Sequence, residues 1–262
     1  HKNGGGTGYN FSELRPRGMF VQKSKGIASG PVSFIGQFDK ETSVINSGNR
    51  RGANMGILDI DHPDILDFIY AKSVRGEITN FNVSVGMTNE FMQAVENKDF
   101  YTLKFGDKPF TYEKLERIII NVEQNKVGGA EVGALPKPAS LRFDTDEIDS
   151  STKKIKIILG KTKVLDSLTE KIAGRINENG DVQLYAPYIL DQIAELAWKT
   201  GDPGIIFLDE VNKYNPLPKL GLIKATNPCG EQPLHPYDAC NLGSIILSNF
   251  VIEENGKKKV DY

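Results

Sequence analysis

Cysteine is almost missing from this chain. Its 262 residues hold two thiols, Cys229 and Cys240, and both fall within one stretch, ATNPCGEQPLHPYDACNLGS at 225–244. Two cysteines cannot build a disulfide scaffold, and such sparing use fits a reducing cytoplasm. Histidine is equally sparse, at three residues, His1, His62 and His235. A structural zinc site needs about four ligands at tight spacing, and Cys229, His235 and Cys240 have no second cluster to complete one, so no metal site is expected. Long apolar runs are absent, none nearing the roughly 18 residues of a membrane span. The N-terminal HKNGGGTGYN is no signal peptide. Neither sign of charge dominates: 32 basic residues face 34 acidic ones for a net charge of −2, which implies no general attraction to nucleic acid or acidic membranes. Repeats and low-complexity tracts are lacking too. An initiator Met is missing, and the opening on His1 reads as a processed, trimmed or partial protein.

What is present reads as dense α/β structure, in a chain long enough for one large domain or two small ones. In GPVSFIGQFDKETSVIN, Ile35, Phe38 and Ile45 recur at helical spacing. ANMGILDI reads as a strand leading into the helix DHPDILDFIYAK, with Asp61 as cap and Pro63 near its first position. NFNVSV alternates Phe81, Val83 and Val85 with Asn82 and Ser84, a strand with one polar face. A short helix follows Thr88. Residues 100–180 turn rich in Gly, Pro and charge, with β-like runs such as KIKIIL, and read as an inserted β-rich subdomain. Three parts result: 1–99, 100–180 and 181–262. In the last, PYILDQIAELAWKTG gives a helix with Ile189, Ile193 and Leu196 on one stripe and Gly201 as its stop, and IIFL gives a short buried strand.

Chemistry concentrates at Asn227, Cys229 and Glu231. In an extended segment these alternate positions would project from one face, bringing an amide, a thiol and a carboxylate together. A carboxylate can take a proton from a hydroxyl that an amide orients, and a thiol can serve as nucleophile, redox partner or hydrogen-atom donor. A buried structural cysteine beside a turn is the alternative on local grounds. Cys240, in DACNLGSIILSNF, reads locally as a small core residue. KNGGGTG could cradle a phosphate or ribose through Gly5 and Gly6, or be a loose terminus; it lacks P-loop and dinucleotide spacing. NSGNRRGAN could bind an anion through Arg50 and Arg51, or be a solvated loop.

Taken in order, KNGGGTGYNFSELRPRG, ASGPVSF, GNRRGANMGILDIDHPDILDFI, NFNVSV, GDPGIIF and ATNPCGEQPL…ACNLGS resemble the large catalytic subunit of ribonucleotide reductase, and within it the class II, adenosylcobalamin-dependent branch. The likeness covers 2 to about 98 and 185–250 well and 100–180 poorly. It implies the first half of a ten-stranded α/β barrel. It also implies roles. Cys229 would carry a thiyl radical that removes the ribose 3′-hydrogen, Glu231 would be the base on the 3′-hydroxyl, and Asn227 would hold the substrate. Cys240 would be half of the dithiol that supplies two electrons as the 2′-hydroxyl leaves as water. Gly5 and Gly6 would contact the ribose, and Lys2 and Arg15 would bind a deoxynucleoside triphosphate or ATP as allosteric effector. The loop Ser47, Gly48, Asn49 and Arg50 would relay effector identity, with Arg51 reaching the substrate.

The implied partners are a ribonucleotide, a thioredoxin- or glutaredoxin-type reductant, flanking segments of the same enzyme and a second copy in a homodimer. The family's partner for Cys240 lies upstream of the glycine loop, and the phosphate-binding loop and tail cysteines lie downstream, all outside these residues. Two other readings stay open. One is a class I large subunit whose radical comes from a separate metal-bearing protein. The other is a non-catalytic or split piece that binds nucleotides.

Overall fold

The computed structural model describes residues 5–45, 52–74, 76–123, 141–144 and 157–261. In chain order these form β1 (Thr7–Asn10), a small hairpin of β2 (Phe20–Val21) and β3 (Gly26–Ile27), α1 (Pro31–Val44), β4 (Asn54–Asp59), α2 (Ile65–Ile69), β5 (Phe81–Met87) and α3 (Asn89–Glu96). Next come β6 (Phe100–Thr102), a second small hairpin of β7 (Lys104–Phe105) and β8 (Lys108–Pro109), α4 (Tyr112–Glu123), β9 (Leu141–Asp144), β10 (Lys163–Asp166), β11 (Lys171–Ile176) and β12 (Val182–Tyr185). After α5 (Ala186–Thr200), β13 (Gly204–Phe207) and α6 (Leu208–Lys213) stand two more hairpins. They are β14 (Ala225–Thr226) with β15 (Pro233–Leu234), and β16 (Val251–Glu254) with β17 (Lys257–Val260).

Two sheets organise these elements. One is four-stranded and parallel, in the order β1-β4-β5-β13; the other is five-stranded and antiparallel, in the order β6-β12-β11-β10-β9. The content is mixed α/β, as the sequence implies. Among the described residues the strands close no barrel and do not reach ten in one sheet.

Local signals explain most of the elements. Thr88 caps α3 by accepting the Phe91 N–H at 3.1 Å, and Phe91 anchors that helix in the core. Along α5, Ile189, Ile193 and Leu196 form the buried stripe, and Gly201 ends the helix in the left-handed conformation at φ 86°. On β5, Phe81, Val83 and Val85 are buried against the helices, while Asn82 is exposed. Ser84 departs from the expected polar face, because the backbone of Gly204 on β13 closes over it.

Several expectations need correcting. The second helix starts at Ile65, not at Asp61, and no side chain caps it. Residues 61–64 instead form a turn whose polar groups are engaged elsewhere: Asp64 Oδ2 accepts the Arg17 N–H at 2.8 Å. Ile45 falls just past the end of α1, in extended conformation. The IIFL strand is an edge strand, with Ile205 and Phe207 both exposed, because no element among the described residues covers it. Residues 154–156 of KIKIIL lie outside the described residues, and 157–159 form no strand.

One apolar core serves both sheets. It runs without a break from Leu58 and Val85 of the parallel sheet through Ile189 and Ile193 of α5 to Ala173 and Leu184 of the antiparallel one. A buried polar knot pins the two together. The fully buried Asp166 of β10 accepts from Tyr188 at 2.7 Å and from Tyr70 at 2.9 Å through one oxygen, and from the Leu168 N–H at 2.8 Å through the other. Tyr70 lies just beyond α2 and also meets Gln192 of α5 at 2.7 Å. Buried polar groups are tolerated only when paired in this way.

His62 fixes the turn before α2 to the segment that follows β1. Its Nε2 donates to the Leu14 carbonyl at 2.9 Å and its Nδ1 accepts the Asp64 N–H at 3.0 Å, an arrangement that only the neutral ring allows. Burial, the main cause, lowers its pKa from 6.5 to about 4. The unfolded chain therefore takes up the proton first as pH falls. This contribution to stability is complete above about 6.5 and is lost as pH drops toward 4. In chemical denaturation of the full-length protein, the stability gap between parent and His62→Gln should shrink between pH 7 and pH 4, by up to about 3 kcal/mol. A gap that stays constant over this range would show that His62 is not held neutral.

Candidate active site

The parallel sheet has one face turned to the helices and an opposite face on which Met55 and Ile57 lie among glycines and polar residues. Gly56 faces α1, so its neighbour Met55 faces the other way, and strand pairing puts Gly8 and Asn82 beside Met55 on that second face. Gly86 and Gly204 belong to it as well, against Leu208 and Ser84. The hairpin β14–β15, ATNPCGEQPL with residues 227–232 at its tip, lies across this face.

Glycine makes the approach possible. A Cβ on Gly8 would collide with the Thr226 carbonyl oxygen, and one on Gly6 would collide with the Pro228 ring and come within 2.9 Å of the Ala53 carbonyl. Gly5 has open space around it among the described residues. The glycine-rich opening thus packs directly under the Asn-Pro-Cys segment, with Gly5 left exposed beside it.

Residues 227–231 are not extended, which corrects the expectation that Asn227, Cys229 and Glu231 share one strand face. Asn227 N–H donates to the Gln232 carbonyl at 3.1 Å, and Asn227 Oδ1 accepts the Gln232 N–H at 2.9 Å. Gly230 N–H closes the loop onto the Asn227 carbonyl at 3.0 Å, with φ at 86°. Pro228 offers no N–H, and Gly230 takes the left-handed conformation, so the chain reverses instead of continuing. Asn227 is buried at the base, and Cys229 and Glu231 are exposed on the turn. With Oδ1 spent on the turn, the Asn227 –NH2 remains as a donor. Cys240 is a free, half-buried thiol in an irregular segment, not a core residue.

Asparagines that the sequence did not single out hold the hairpin. Asn10 Nδ2 donates to the Lys224 carbonyl at 2.9 Å. Asn212 brackets Ile223, donating to its carbonyl at 2.9 Å and accepting its N–H at 2.8 Å. Asn82 Nδ2 donates to the Pro228 carbonyl at 2.8 Å. Nothing in local sequence distinguishes these from ordinary surface asparagines; only the fold brings them to one segment.

Lys2 and the loop residues Ser47, Gly48, Asn49, Arg50 and Arg51 lie outside the described residues. Arg15 lines an open cleft of about 760 Å³ between the β2–β3 hairpin and α4, together with Lys23, Lys114 and Arg117. Among the described residues no carboxylate lines this cleft, and its floor includes the apolar Met19, Val21 and Ile118. Among the described residues no ion pair engages any of the four cations. No group of three or more potential metal ligands occurs among the described residues either, and no helix there is long and apolar enough to cross a membrane.

Residues 1–262 match in full the family described as the ribonucleotide reductase, barrel domain. The chain belongs to that family. It is similar to proteins named vitamin B12-dependent ribonucleoside-diphosphate reductase: 39% identical over 100% of this chain and 25% of the Thermoplasma acidophilum protein, and 36% identical over 95% of this chain and 26% of the Mycobacterium tuberculosis protein. A Streptomyces avermitilis protein named vitamin B12-dependent ribonucleotide reductase is 30% identical over 100% of the chain and 22% of its own length. This reductase-family chain thus spans about a quarter of the length of the relatives it matches.

The contact between Gly8 and Thr226 is the tightest in the site. Gly8→Ala, introduced into the full-length reductase, should force the hairpin off the sheet and cost about 1–3 kcal/mol. Thermal unfolding and the alkylation rate of Cys229 would register it, the latter rising several-fold. Unchanged values for both would mean that the hairpin does not rest on β1.

Proposed function

We propose that this chain carries the radical-bearing part of a class II ribonucleotide reductase, which converts ribonucleoside di- or triphosphates to deoxyribonucleotides. The observation that carries the reading is the Asn-Pro-Cys-Gly-Glu turn. It presents a free thiol and a carboxylate on a closed backbone reversal, seated on glycines that leave backbone open beside it. The B12-dependent relatives support adenosylcobalamin as the cofactor. The fit lies in the exposure of Cys229: its sulfur can meet a reactive group brought over the face of the sheet opposite the helices. When bound, adenosylcobalamin would supply carbon-centred radical chemistry, and Cys229 is the residue placed to give up a hydrogen atom to it.

The chain's own residues account for the rest of the site. Cys229 removes the ribose 3′-hydrogen as a thiyl radical and later returns a hydrogen atom. Glu231 accepts the 3′-hydroxyl proton, for which its exposed carboxylate is free. Asn227, with its carbonyl oxygen occupied, donates through –NH2 to a substrate oxygen. Gly5 leaves room for the ribose against the backbone, whereas the Pro228 ring fills the space at Gly6. The 2′-hydroxyl departs as water with a proton from the dithiol, whose second proton goes to C2′. The two electrons come from a dithiol of which Cys240 is one half; its partner lies elsewhere in the longer protein, because Cys229 is committed to the radical step. A thioredoxin- or glutaredoxin-type protein would re-reduce the disulfide.

The cleft around Arg15 supports an effector site for a deoxynucleoside triphosphate or ATP. Its four cations suit the phosphates and its apolar floor suits a base. The antiparallel unit reads as an insertion, because among the described residues its strands pair only with one another. The free edge of β13 and the exposed apolar residues after Tyr237 suit burial against further segments or a second copy of the enzyme.

Two outcomes follow for the full-length enzyme. Cys229→Ser should abolish deoxynucleotide formation while nucleotide binding survives, since an alcohol O–H bond is far harder to break homolytically. Glu231→Gln should lower kcat roughly 10²-fold with KM little changed. Turnover by the serine variant at a few per cent of parent, measured as product formed per enzyme, would overturn the reading. Separately, Arg15→Ala should weaken deoxynucleoside triphosphate binding by about 1–3 kcal/mol in calorimetry. Identical binding by parent and variant would remove Arg15 from the effector site.

A further inference from the structure

The turn that carries Cys229 is almost self-contained. Its hydrogen bonds run between Asn227 and Gln232, between Gly230 and Asn227, and from Thr226 Oγ1 to the Asn227 carbonyl at 2.9 Å. Such bonds fix the shape of the reversal but not its orientation over the sheet. Among the described residues a single hydrogen bond leaves residues 227–232 for the body of the protein, the one from Asn82 Nδ2 to the Pro228 carbonyl at 2.8 Å. That carbonyl belongs to the peptide unit whose nitrogen is Cys229's own. Rotation of this unit swings the Cys229 Cα–Cβ bond, and the proline ring before it and the glycine after it leave ψ of Pro228 and φ of Cys229 as the soft angles.

Asn82 is suited to hold this unit. It stands near the start of β5, paired in register with Met55, whose side chain reaches toward Gly230 from below. The neighbouring Phe81 and Val83 are locked in the core, so the strand position of Asn82 is rigid although its side chain is exposed. Only a donor can serve a carbonyl oxygen, which fixes the orientation of the amide.

We infer that Asn82 is a positioning residue for the radical chemistry: through the Pro228 carbonyl it aims the Cys229 sulfur at the ribose 3′-hydrogen. The inference rests on the proposed role of Cys229. Hydrogen-atom transfer depends steeply on the distance between donor and acceptor, so a loosely held sulfur slows the chemical step while leaving substrate affinity intact. Asn82 acts through the Pro228 carbonyl and not on the reacting atoms.

The test uses the full-length adenosylcobalamin-loaded enzyme with Asn82→Ala and Asn82→Asp. In the alanine variant kcat should fall about 10-fold to 100-fold with KM within twofold of parent. The exchange rate of the Gly230 amide and the alkylation rate of Cys229 should each rise several-fold, while the thermal midpoint moves by only a few degrees. The aspartate variant places an acceptor against a carbonyl and should be worse at pH 8. Its kcat relative to parent should recover as pH falls toward 5, when a protonated carboxyl can donate in place of the amide. A kcat equal to parent, or a fall in activity that merely tracks lost folded protein with exchange and alkylation unchanged, would overturn the inference. If Cys229→Ser proves active, the radical assignment fails instead, and the exchange and alkylation arms still decide whether Asn82 holds the turn.

Discussion

The backbone of residues 226–228 lies so close to β1 that no side chain fits between them, and the rest of the site depends on that contact. Gly6 and Gly8 admit the Pro228 ring and the Thr226 carbonyl, and the hairpin comes to rest on the face opposite the helices. A larger residue at either position would raise the turn and carry Cys229 and Glu231 with it. The glycine-rich opening and the cysteine motif are more than two hundred residues apart in sequence, yet they form one surface. Glycine here acts by having no side chain, whatever backbone freedom it adds.

The helical side of the sheet provides the rigidity that this arrangement needs. Phe81, Val83 and Val85 are locked into a core that continues through α5 into the antiparallel sheet, and Asp166 ties the helices to β10 with tyrosine hydroxyls. Strands held this firmly can present asparagines at defined heights. Asn10 and Asn82, joined by Asn212 of α6, then grip the carbonyls of Lys224, Pro228 and Ile223 in one incoming segment. The residues after Tyr237, by contrast, are exposed almost throughout.

Much of this was legible in the sequence where a residue has one dominant use. The helix after Thr88, Gly201 as a stop and the Ile189–Leu196 stripe could be read directly, and the string around Cys229 was specific enough to indicate a family. Alternation was the weak signal. Asn227, Cys229 and Glu231 show the same period as a strand, and it was Pro228 and Gly230 between them that decided for a turn. IIFL had the composition of a buried strand, but burial depends on what lies alongside, which four residues cannot report. Asn82 looked like the wet side of β5. Its partner is the carbonyl of a proline far along the chain, and a backbone acceptor leaves no trace in composition. Asp166 was missed for a similar reason, since a lone aspartate among mixed polar residues gives no sign that two tyrosines will share it.

The parallel pairing of β5 with β13 has a consequence for how the chain reaches this state. Met87 ends one strand and Gly204 begins the other, so closing them directly would mean restricting a very long loop. The antiparallel unit lies inside that loop, and its strands from β9 to β12 join mainly through near neighbours. Once those local pairings form, the effective distance between β5 and β13 shrinks to the span of a folded body, and α5 delivers β13 alongside β5. The antiparallel sheet thus shortens the open chain that must be restricted when the non-local pair of β5 and β13 closes.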